Sequence, residues 1–366
     1  MIGSRAVLAH SQKGSVLIIV LWISVLLTVL VTAMASKVRL SAQTVTNNQY
    51  VSTHWAAVMG TVHQAEMELM LELMAPPIDQ EVELTEEGEA RNPRYRFNGQ
   101  PLSLYYPQAD EMVVRIYDHA GKINLNRIPR RNMQMLIEKR LGGLDADPEQ
   151  VQDLLSAWTD WTDLNNLEGL NGAEEGYYQS LEPGYTPRNN PELDTVDEIL
   201  HIRGFAKLLE GVNLEAAFTI YGNNRTVNLN LATREAMALL PGLDEELIEN
   251  ILAFREQEDI NNRAEIAEIV PFENLQELSA WIGTNTSQIY SVYVYPEAAL
   301  SESQHLALEG VEEFLNPDPV TQAYMEVVEA RAHTSLPRLY KVNPYGYLPD
   351  TAPPRVYPEN YLFDLQ

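Results

Sequence analysis

Residues 15–35 of the chain read SVLIIVLWISVLLTVLVTAMA and contain no charged side chain. A helix rises about 1.5 Å per residue, so about 20 apolar residues cross the hydrocarbon core of a bilayer. A helix also satisfies its backbone hydrogen bonds within the segment, because lipid offers no partners for them. Lys13 lies just before this run and Lys37 just after it. The stretch therefore predicts one membrane-spanning helix near the N-terminus.

Three interpretations of this stretch remain open: an ordinary single-pass anchor, a cleaved secretory signal, and a prepilin leader followed by its helix. Ala33-Met34-Ala35 supplies the small-x-small pattern of signal cleavage, but the apolar run is longer than the roughly 7–15 residues of a signal core. A prepilin leader is basic and ends in glycine directly before the apolar helix. Lys13-Gly14-Ser15 has that pattern.

The helical pattern continues beyond the apolar run. From Val38 to Met74 the chain has no proline and one glycine, Gly60, whereas Pro76-Pro77 ends the pattern. Small or apolar residues recur there at rough helical spacing: Val38, Ala42, Val45, Ala56, Val62, Ala65, Leu69 and Leu73. We expect either one long helix, half in lipid and half packed on a soluble domain, or an anchor followed by a separate helix.

The charge of the chain limits its partners. The 25 Lys and Arg residues and the 52 Asp and Glu residues give a formal charge of −27, and 45% of residues are hydrophobic. This composition suits a globular protein with a sizeable core, and its charge repels the phosphate backbone of nucleic acid. A cation such as calcium is the more natural partner. The chain has no cysteine, which excludes disulfides, thiolate metal sites and a cysteine nucleophile.

Beyond the long helix, the sequence predicts a sheet that a helical block interrupts. Residues 112–118, MVVRIYD, are the first predicted strand. Further β-branched and aromatic strands are predicted at 289–295, 323–330 and 338–342. Residues 123–282 between them have mostly helical periodicity. We therefore predict an α+β fold whose sheet domain carries a large helical insertion.

An Asn-Leu-Asn motif occurs twice in the helical block, within KINLN (residues 122–126) and TVNLN (residues 226–230). Each copy precedes a predicted helix, and an Asn side chain is able to accept a hydrogen bond from a free N–H at a helix start. We therefore predict that both copies are helix caps. Two copies alone do not indicate a solenoid.

Residues 228–256 resemble a helix–hairpin–helix unit with Pro241-Gly242-Leu243 at the hairpin. In DNA-binding versions, hairpin N–H groups hold a phosphate and basic residues flank them. In this chain Asp244, Glu245 and Glu246 follow the hairpin directly and repel an anion. The pattern therefore favours a role in protein packing over DNA binding.

Hard oxygen donors are concentrated between residues 160 and 178, around two glycines. Calcium takes 6–8 oxygen ligands from carboxylates, amides and carbonyls, so this composition suits it, although the spacing is not that of an EF-hand. The alternative is a solvated acidic loop. The candidate calcium ligands are Asp160, Asp163, Asn165, Glu168, Asn171, Glu174 and Glu175.

No constellation of catalytic residues stands out in the sequence. The seven histidines are scattered, Gly142-Gly143 lacks the Lys and Ser or Thr of a phosphate loop, and no G-x-S-x-G motif is present. Acidic pairs are common in so acidic a chain and carry little information. The sequence therefore predicts a protein that is not an enzyme.

Several motifs in one order resemble the K-type minor pseudopilin family of type II secretion systems. They are the leader ending at Lys13-Gly14, the apolar run with Trp22, GKINLN (121–126), DLLSAWTDWTD, LNGAEEGYY (170–178), ELDTVDEILHIRGF, FTIYG (218–222) and VNLNLATREAMALLPGL. Together these motifs cover nearly the whole length of the chain. The order is more specific than any single motif.

The resemblance implies a pilin-like fold with a long N-terminal helix and an antiparallel sheet, interrupted by an all-helical insertion of the SAM or helix–hairpin–helix kind. Its implied divisions are a leader (1–14), the membrane part (15–36) and periplasmic part (37–75) of the helix, the first sheet segment (76–122), the insertion (123–285) and the second sheet segment (286–366). It also implies cleavage after Gly14 by a prepilin peptidase, N-methylation of Ser15, and a structural calcium ion near the acidic segment.

As to location and partners, the resemblance implies a single-pass inner-membrane subunit with its soluble domain in the periplasm. The expected partners are the I-type and J-type minor pseudopilins in a tip complex, the major pseudopilin and exported cargo, with no nucleic acid. Two other classes remain open from the residues themselves. One is a soluble calcium-binding protein secreted after cleavage at Ala35, and the other is a membrane-anchored DNA receptor that uses the hairpin.

Ile19 occupies the fifth position after the expected cleavage site, where pilins in general carry Glu. A carboxylate in lipid is costly unless it is paired, and in a filament it pairs with the N-terminal amine of a neighbouring subunit. A subunit with Ile there lacks that contact, which suits a position at the tip. The simpler alternative is that Ile19 merely favours the bilayer.

Overall fold

The computed structural model describes residues 15–74, 97–102, 104, 112–296, 322–331 and 336–349. The chain divides into two compact units, residues 1–57 and 58–366. The expected leader (1–14) and the Pro76-Pro77 stop lie outside the described residues.

One helix, α1 (Ser15–Leu73), runs through 59 residues without a break, which is the first of the two expected arrangements. Within it, an 18-residue window has a mean hydropathy of 2.9 and is not buried, so α1 is long and apolar enough to cross a membrane. Hydroxyl groups in the apolar part bond within the helix: Thr28 Oγ1 donates to the Ser24 carbonyl at 2.8 Å, and Thr32 Oγ1 to the Thr28 carbonyl at 2.8 Å. These groups therefore need no partner from the surroundings.

The last four turns of α1 belong to the second unit. Val58, Val62, Ala65 and Leu69 are buried there, and their spacing of four, three and four residues places them on one face of the helix. Burial of that face anchors this part of the helix to the soluble domain.

The soluble domain contains a five-stranded antiparallel sheet. Its strands are β1 (Asn98–Pro101), β2 (Met112–Asp118), β7 (Ile289–Pro296), β8 (Gln322–Glu329) and β9 (Arg338–Tyr347), in the order β1-β2-β7-β8-β9. Alternate residues of three of these strands form an apolar layer on one face: Tyr117, Tyr293, Tyr295, Ala323, Met325 and Val327. The four predicted strands, and with them the α+β fold, are confirmed.

Short helices fill the chain between β2 and β7. They are α2 (Arg130–Arg140), α3 (Pro148–Trp161), α4 (Glu175–Gln179), α5 (Phe205–Leu208), α6 (Leu214–Ala217), α7 (Arg234–Leu239), α8 (Glu245–Gln257), α9 (Arg263–Ile269) and α10 (Phe272–Leu278). Four two-residue strands lie among them: β3 (Ile123–Asn124), β4 (Phe218–Thr219), β5 (Val227–Asn228) and β6 (Ile282–Gly283). Ile282, the last residue of the stretch with mostly helical periodicity, forms a strand. One apolar core, from Ile123 to Ile282, joins all these elements.

The insertion consists of two structural repeats, which we call the first repeat (residues 122–222) and the second repeat (residues 226–285). In the first repeat β3 pairs in parallel with β4, and in the second β5 pairs in parallel with β6. Asn124 and Asn228 hold the same place in each pair, because Asn124 Nδ2 donates to the Tyr221 carbonyl at 2.8 Å and Asn228 Nδ2 to the Asn285 carbonyl at 3.1 Å.

The side-chain amide of the last Asn in each motif both accepts a hydrogen bond from the backbone of one distant residue and donates one to it. Asn126 Oδ1 accepts from Leu193 N at 2.7 Å while its Nδ2 donates to the Leu193 carbonyl at 3.1 Å. In the second repeat, Asn230 bonds Ile260 in the same way at 2.9 and 3.0 Å. These contacts align Leu193 with Ile260 and establish the repeat independently of sequence identity.

The prediction that the Asn-Leu-Asn motifs cap helices is wrong. The residues at the cap positions are Pro129 for α2 and Thr233 for α7, and Thr233 Oγ1 accepts from Ala236 N at 3.1 Å. The Asn side chains are used for long-range backbone contacts because the motif lies in a short strand and turn, four to six residues before the helix.

The two repeats differ most between their second long helix and the aligned Leu193 or Ile260. In the second repeat α8 ends at Gln257, three residues before Ile260. In the first repeat α3 ends at Trp161, 32 residues before Leu193. The acidic segment is therefore extra chain in the first repeat.

Candidate functional site

Asp160 organises the acidic segment. It lies in the last turn of α3, which begins with the Asp147 cap and Pro148 and buries Trp158 and Trp161 against the core. Asp160 is itself only 4% exposed. Its Oδ2 accepts hydrogen bonds from Gly169 N at 3.1 Å and Ala173 N at 3.0 Å. One carboxylate thus draws the following loop back over the end of the helix.

Two glycines make this close approach possible. A Cβ atom on Gly172 would overlap the Asp160 carboxylate, and one on Gly169 would lie 2.8 Å from Asp160 Oδ1. Any side chain at these positions would push the loop away from Asp160. The glycine spacing in the acidic segment is therefore explained by the approach of the backbone to a carboxylate.

Three of the predicted ligands come together. Asp160, Asp163 and Glu174 each present a carboxylate oxygen within 4.8 Å of the others. Glu174 is 5% exposed, and its Oε1 is buried with no hydrogen-bond partner. Among the described residues, no other group of three or more His, Asp or Glu side chains has this spacing.

The electrostatics of this acidic cluster (Asp160, Asp163 and Glu174) are unfavourable without a cation. Burial raises the pKa of Asp160, and the charges of Asp163 and Glu168 raise it further, against hydrogen bonds from Gly169 and Ala173 that lower it. The pKa of Glu174 is also raised, first by burial and then by the charges of Asp160 and Asp163. A bound divalent cation would offset this repulsion.

The other four predicted ligands have different roles in the structure. Asn165 Oδ1 accepts from Leu167 N at 2.8 Å, and the Asn171 carbonyl accepts from the Arg203 guanidinium. Glu175 accepts from Asn166 Nδ2 at 3.0 Å and from Gln179 Nε2 at 2.6 Å. The charge of Glu168 helps to raise the pKa values of Asp160 and Glu174. The donor set that fits a cation is therefore smaller than the predicted one.

The three carboxylates fit a hard cation by their chemistry. Calcium prefers oxygen ligands and accepts carboxylates in either one- or two-oxygen contact, with the remaining places filled by carbonyls or water. The cluster supplies up to six carboxylate oxygens, and the buried Glu174 Oε1 has no other partner. A cation at this point would complete the hydrogen-bonding and charge balance of the loop.

The hairpin of the second repeat is engaged by protein groups. Lys139 Nζ donates to the carbonyls of Leu240 and Leu243, at 2.5 and 2.7 Å. Gly242 has a φ of +77°, and its carbonyl accepts from Asn274 Nδ2 at 2.8 Å. These contacts support the packing role that the sequence predicted.

One polar cluster in the structure was missed from the sequence. His119 Nε2 lies 2.7 Å from Ser291 Oγ, and its Nδ1 lies 2.7 Å from Thr219 Oγ1. Lys122 Nζ donates to the Glu215 carbonyl at 2.9 Å and to Ser291 Oγ at 3.2 Å. We call these five residues the junction cluster, because they join the first repeat to β7.

The junction cluster is not built as a hydrolytic site. A serine next to a histidine is the arrangement of an activated nucleophile, but there a carboxylate orients the other ring nitrogen. Here Thr219 occupies that place, and Ser291 and His119 are only 1% and 4% exposed. Substrate would have no access to the serine. The sequence offered one signal for this cluster, Lys122 within GKINLN. That motif fits a buried lysine and a surface lysine equally well, so it did not predict the cluster.

Comparison with known proteins identifies the middle of the chain. Residues 121–209 match the family model for the first domain of type II secretion system protein K. Residues 121–209 are similar to that domain. The predicted resemblance to this family is thereby confirmed. The matched residues include the acidic cluster and one member of the junction cluster, Lys122.

Two known proteins align with this chain. Type II secretion system protein K of Klebsiella pneumoniae is 27% identical over 244 residues, which cover 64% of this chain and 71% of that protein. A chain in the crystal structure of the GspK-GspI-GspJ complex from the enterotoxigenic Escherichia coli type 2 secretion system aligns with 82% of this chain and 99% of its own, at 12% identity and a TM-score of 0.44.

Proposed function

We propose that this protein is a non-catalytic minor pseudopilin at the tip of a type II secretion pseudopilus, where it initiates or caps assembly and supports protein export. The observation that carries the proposal is a K-type domain inserted between strands of a sheet that follows a long apolar N-terminal helix. The burial of the serine in the junction cluster supports the non-catalytic assignment.

The helix α1 anchors the protein in the inner membrane, with the soluble domain in the periplasm. A prepilin peptidase cleaves after Gly14 and Ser15 becomes the methylated N-terminus. Ile19 is 56% exposed on α1, which leaves its side chain available to lipid or to a neighbouring helix. Because it has no carboxylate to offer a neighbour's N-terminal amine, it suits a subunit at the end of the filament.

The partners follow from this position. I-type and J-type minor pseudopilins join the protein in a tip complex, and the major pseudopilin continues the filament below it. The match of residues 121–209 to protein K supports these partners, because a K-type subunit is expected to assemble with I-type and J-type subunits. Exported cargo is a further partner, and nucleic acid is not, given the charge of −27.

A structural calcium ion binds the acidic cluster. Asp160, Asp163 and Glu174 hold it, and the unpartnered Glu174 Oε1 supports the assignment. The ion would supply positive charge where three carboxylates meet, and it would fix the loop that Asp160 draws over α3.

The first experiment is mass spectrometry of the mature N-terminus after co-expression with a prepilin peptidase, followed by co-purification with I-type and J-type subunits. A chain that begins at methylated Ser15 and co-purifies with both supports the proposal. A soluble chain that begins at Ser36 overturns it, because signal peptidase would then have released the protein. A matched Ile19→Glu variant tests the tip position: unchanged assembly and secretion would remove the role given to Ile19.

The calcium assignment has its own test, a thermal unfolding scan of the full chain with calcium and with chelator. A structural ion that binds the native state raises the melting temperature by several degrees at saturating concentration. Asp160→Asn removes an acidic ligand and should abolish the difference, whereas Asp145→Asn changes an exposed acid outside the cluster and should preserve it. Coincident unfolding curves for the wild-type protein would overturn the assignment.

A further inference from the structure

The two repeats have cavities at equivalent positions. The first-repeat cavity, of about 240 Å³, is lined in part by residues 194–196 and by Phe218 and Thr219. The second-repeat cavity, of about 280 Å³, is lined in part by residues 261–263 and by Ile282 and Gly283. The Asn contacts align residue 194 with 261, and the paired strands align Phe218 with Ile282. Five lining positions therefore correspond.

In the first repeat, the edge of the pilin-type sheet closes this space. Val327 of β8 and Tyr340 and Lys341 of β9 line the first-repeat cavity. Lys341 forms an ion pair with Glu215 of α6, and the Tyr340 ring lies 5.1 Å from the Tyr221 ring, centroid to centroid. In the first repeat, this face therefore contacts an edge strand that presents an aromatic and a charged side chain.

In the second repeat, the equivalent face is not covered by the described residues of the sheet. Every residue that lines the second-repeat cavity belongs to the second repeat itself, from Asn228 to Thr284. Val196, which lines the first-repeat cavity and is buried, corresponds to Arg263, which is exposed.

The charge of this face is reversed between the repeats. Apart from Lys341, the charged residues that line the first-repeat cavity are two acids, Asp194 and Glu215, and one lysine, Lys122. The excess of acid suits Lys341, which pairs with Glu215. The counterparts of the two acids in the second repeat are Asn261 and Ser279, and Arg263 adds a positive charge.

Lys122 and Arg263 make equivalent contacts, because Lys122 Nζ donates to the Glu215 carbonyl at 2.9 Å and Arg263 donates to the Ser279 carbonyl at 3.1 Å. The repeats therefore differ in the acids, since no acidic side chain among the described residues lines the second-repeat cavity. Glu265 lies nearby on α9, but it accepts from Asn261 N at 2.6 Å and does not line the cavity.

We propose that the second-repeat cavity is a docking site for the edge strand of another pilin-type sheet. The strand belongs to an adjoining minor pseudopilin and carries an aromatic residue followed by an acidic one, where β9 has Tyr340 and Lys341. Charge complementarity with Arg263 excludes a second copy of β9 as the occupant. The identity of the subunit that supplies this strand rests on the proposed tip function.

The absence of cysteine from the chain allows a sharp test by cross-linking. Thr284 is exposed and lines the second-repeat cavity, so Thr284→Cys places a single thiol at the proposed site. The full-length variant, in detergent, carries a thiol-linked photo-cross-linker and is mixed with purified I-type and J-type subunits of the same system. Ser180→Cys, also exposed and lining neither cavity, is the matched control.

The expected result is a cross-link from position 284 to a strand segment of one partner, identified by mass spectrometry, with little or none from position 180. Arg263→Glu should lower the yield about tenfold, and Arg263→Lys should largely restore it. Equal yields from both positions, or no effect of Arg263→Glu, would overturn the docking proposal. A cross-link from position 284 to this chain's own residues 297–321 or 350–366 would overturn it as well.

Co-purification of the three subunits separates the two levels of the hypothesis. If the complex forms but position 284 does not cross-link to a partner, the docking site is wrong and the tip function stands. If no complex forms with the wild-type chain, the tip function fails, and the source proposed for the strand fails with it.

Discussion

His119 and Ser291 are 172 residues apart in the chain, yet His119 Nε2 lies 2.7 Å from Ser291 Oγ. His119 follows β2 and Ser291 lies in β7, so this contact joins the two points where the chain leaves the sheet and returns to it. On its other side the same ring bonds Thr219 of the first repeat. One buried imidazole therefore fixes the orientation of the first repeat against the sheet.

Replacing His119 should destabilise this junction. His119→Leu keeps a similar volume but removes one hydrogen-bond partner from each of the buried Thr219 and Ser291 hydroxyls, which costs about 2–5 kcal/mol in free energy of unfolding. Urea unfolding of the full chain in detergent measures the loss. His201→Ala, at an exposed histidine, is the control and should change the midpoint little. Equal midpoints for His119→Leu and wild type would contradict the role of the ring.

The junction should also make stability depend on pH. Burial, and then the charges of Lys122 and Lys341, hold the pKa of His119 well below its usual 6.5. The unfolded chain therefore takes up a proton near pH 6.5 that the folded chain refuses, so stability falls as the pH drops below that value. The difference in unfolding free energy between wild type and His119→Leu should shrink from about pH 7 to about pH 5. A constant difference would show that the ring does not titrate as a buried base.

A buried carboxyl group should act in the opposite direction. Glu326 of β8 is 3% exposed, and burial together with the Glu66 charge raises its pKa to about 7. Below pH 4.5 the group is neutral in both states, and stability is lost as the pH rises from 4.5 to about 7. Glu326→Gln should remove this loss, which is worth about 3 kcal/mol at most.

Unfolding of wild type and Glu326→Gln at several pH values provides the measurement. The variant should gain on the wild type as the pH rises towards 7, and Glu66→Gln should give part of the same gain, since it removes the second-largest cause of the raised pKa. Parallel curves for wild type and Glu326→Gln would contradict the prediction.

Replacing either of two glycines by alanine should change the stability of the protein, in opposite directions at the two positions. A Cβ atom on Gly121 would overlap the Leu231 carbonyl, where the start of the first repeat meets the second, so Gly121→Ala should destabilise the protein by more than about 1 kcal/mol. Gly60 is exposed within α1 with nothing within 4 Å of a Cβ, so Gly60→Ala should stabilise the helix by about 0.5–1 kcal/mol. Thermal unfolding in detergent distinguishes them, and a shift of the same sign for both would contradict the argument.

The acidic cluster offers a test that keeps all its carboxylates. Gly172→Ala displaces Asp160 from the loop and should remove most of the thermal stabilisation by calcium, while Gly176→Ala, with open space around its Cβ, should retain it. Because the pKa values of Asp160 and Glu174 are raised, protons compete with the ion. Stabilisation by calcium should therefore be weaker at about pH 5 than at neutral pH. Retention of the full effect in Gly172→Ala would contradict the proposed geometry.

Local patterns were sufficient to predict four of the five described sheet strands and the long helix; β1 was not predicted. Alternating apolar residues from Met112 to Asp118 indicate a half-buried strand, and apolar spacing from Val58 to Leu69 indicates a buried helical face. The acidic cluster was predicted only by composition. Which three of the seven candidates meet depends on how Asp160 closes a loop of more than ten residues, and no local pattern specifies that closure.

The same limit explains the error over Asn126 and Asn230. A side-chain amide just before a helix suits a cap, but a backbone partner 67 or 30 residues away competes for it and prevails in the fold. The junction cluster was beyond sequence reasoning for a related reason. Its members are single residues of ordinary type, and only the pairing of β2 with β7 brings His119 to Ser291.

The pairing of β2 with β7 also constrains the order of folding. Asp118 pairs with Tyr290, so closing the sheet around an unfolded insertion would mean closing a loop of about 170 residues, with the corresponding loss of chain entropy. A folded insertion brings its two ends together at His119 and Ser291 and shortens the effective loop to a few residues. The helical repeats should thus acquire structure first and act as the nucleus on which the discontinuous sheet is completed.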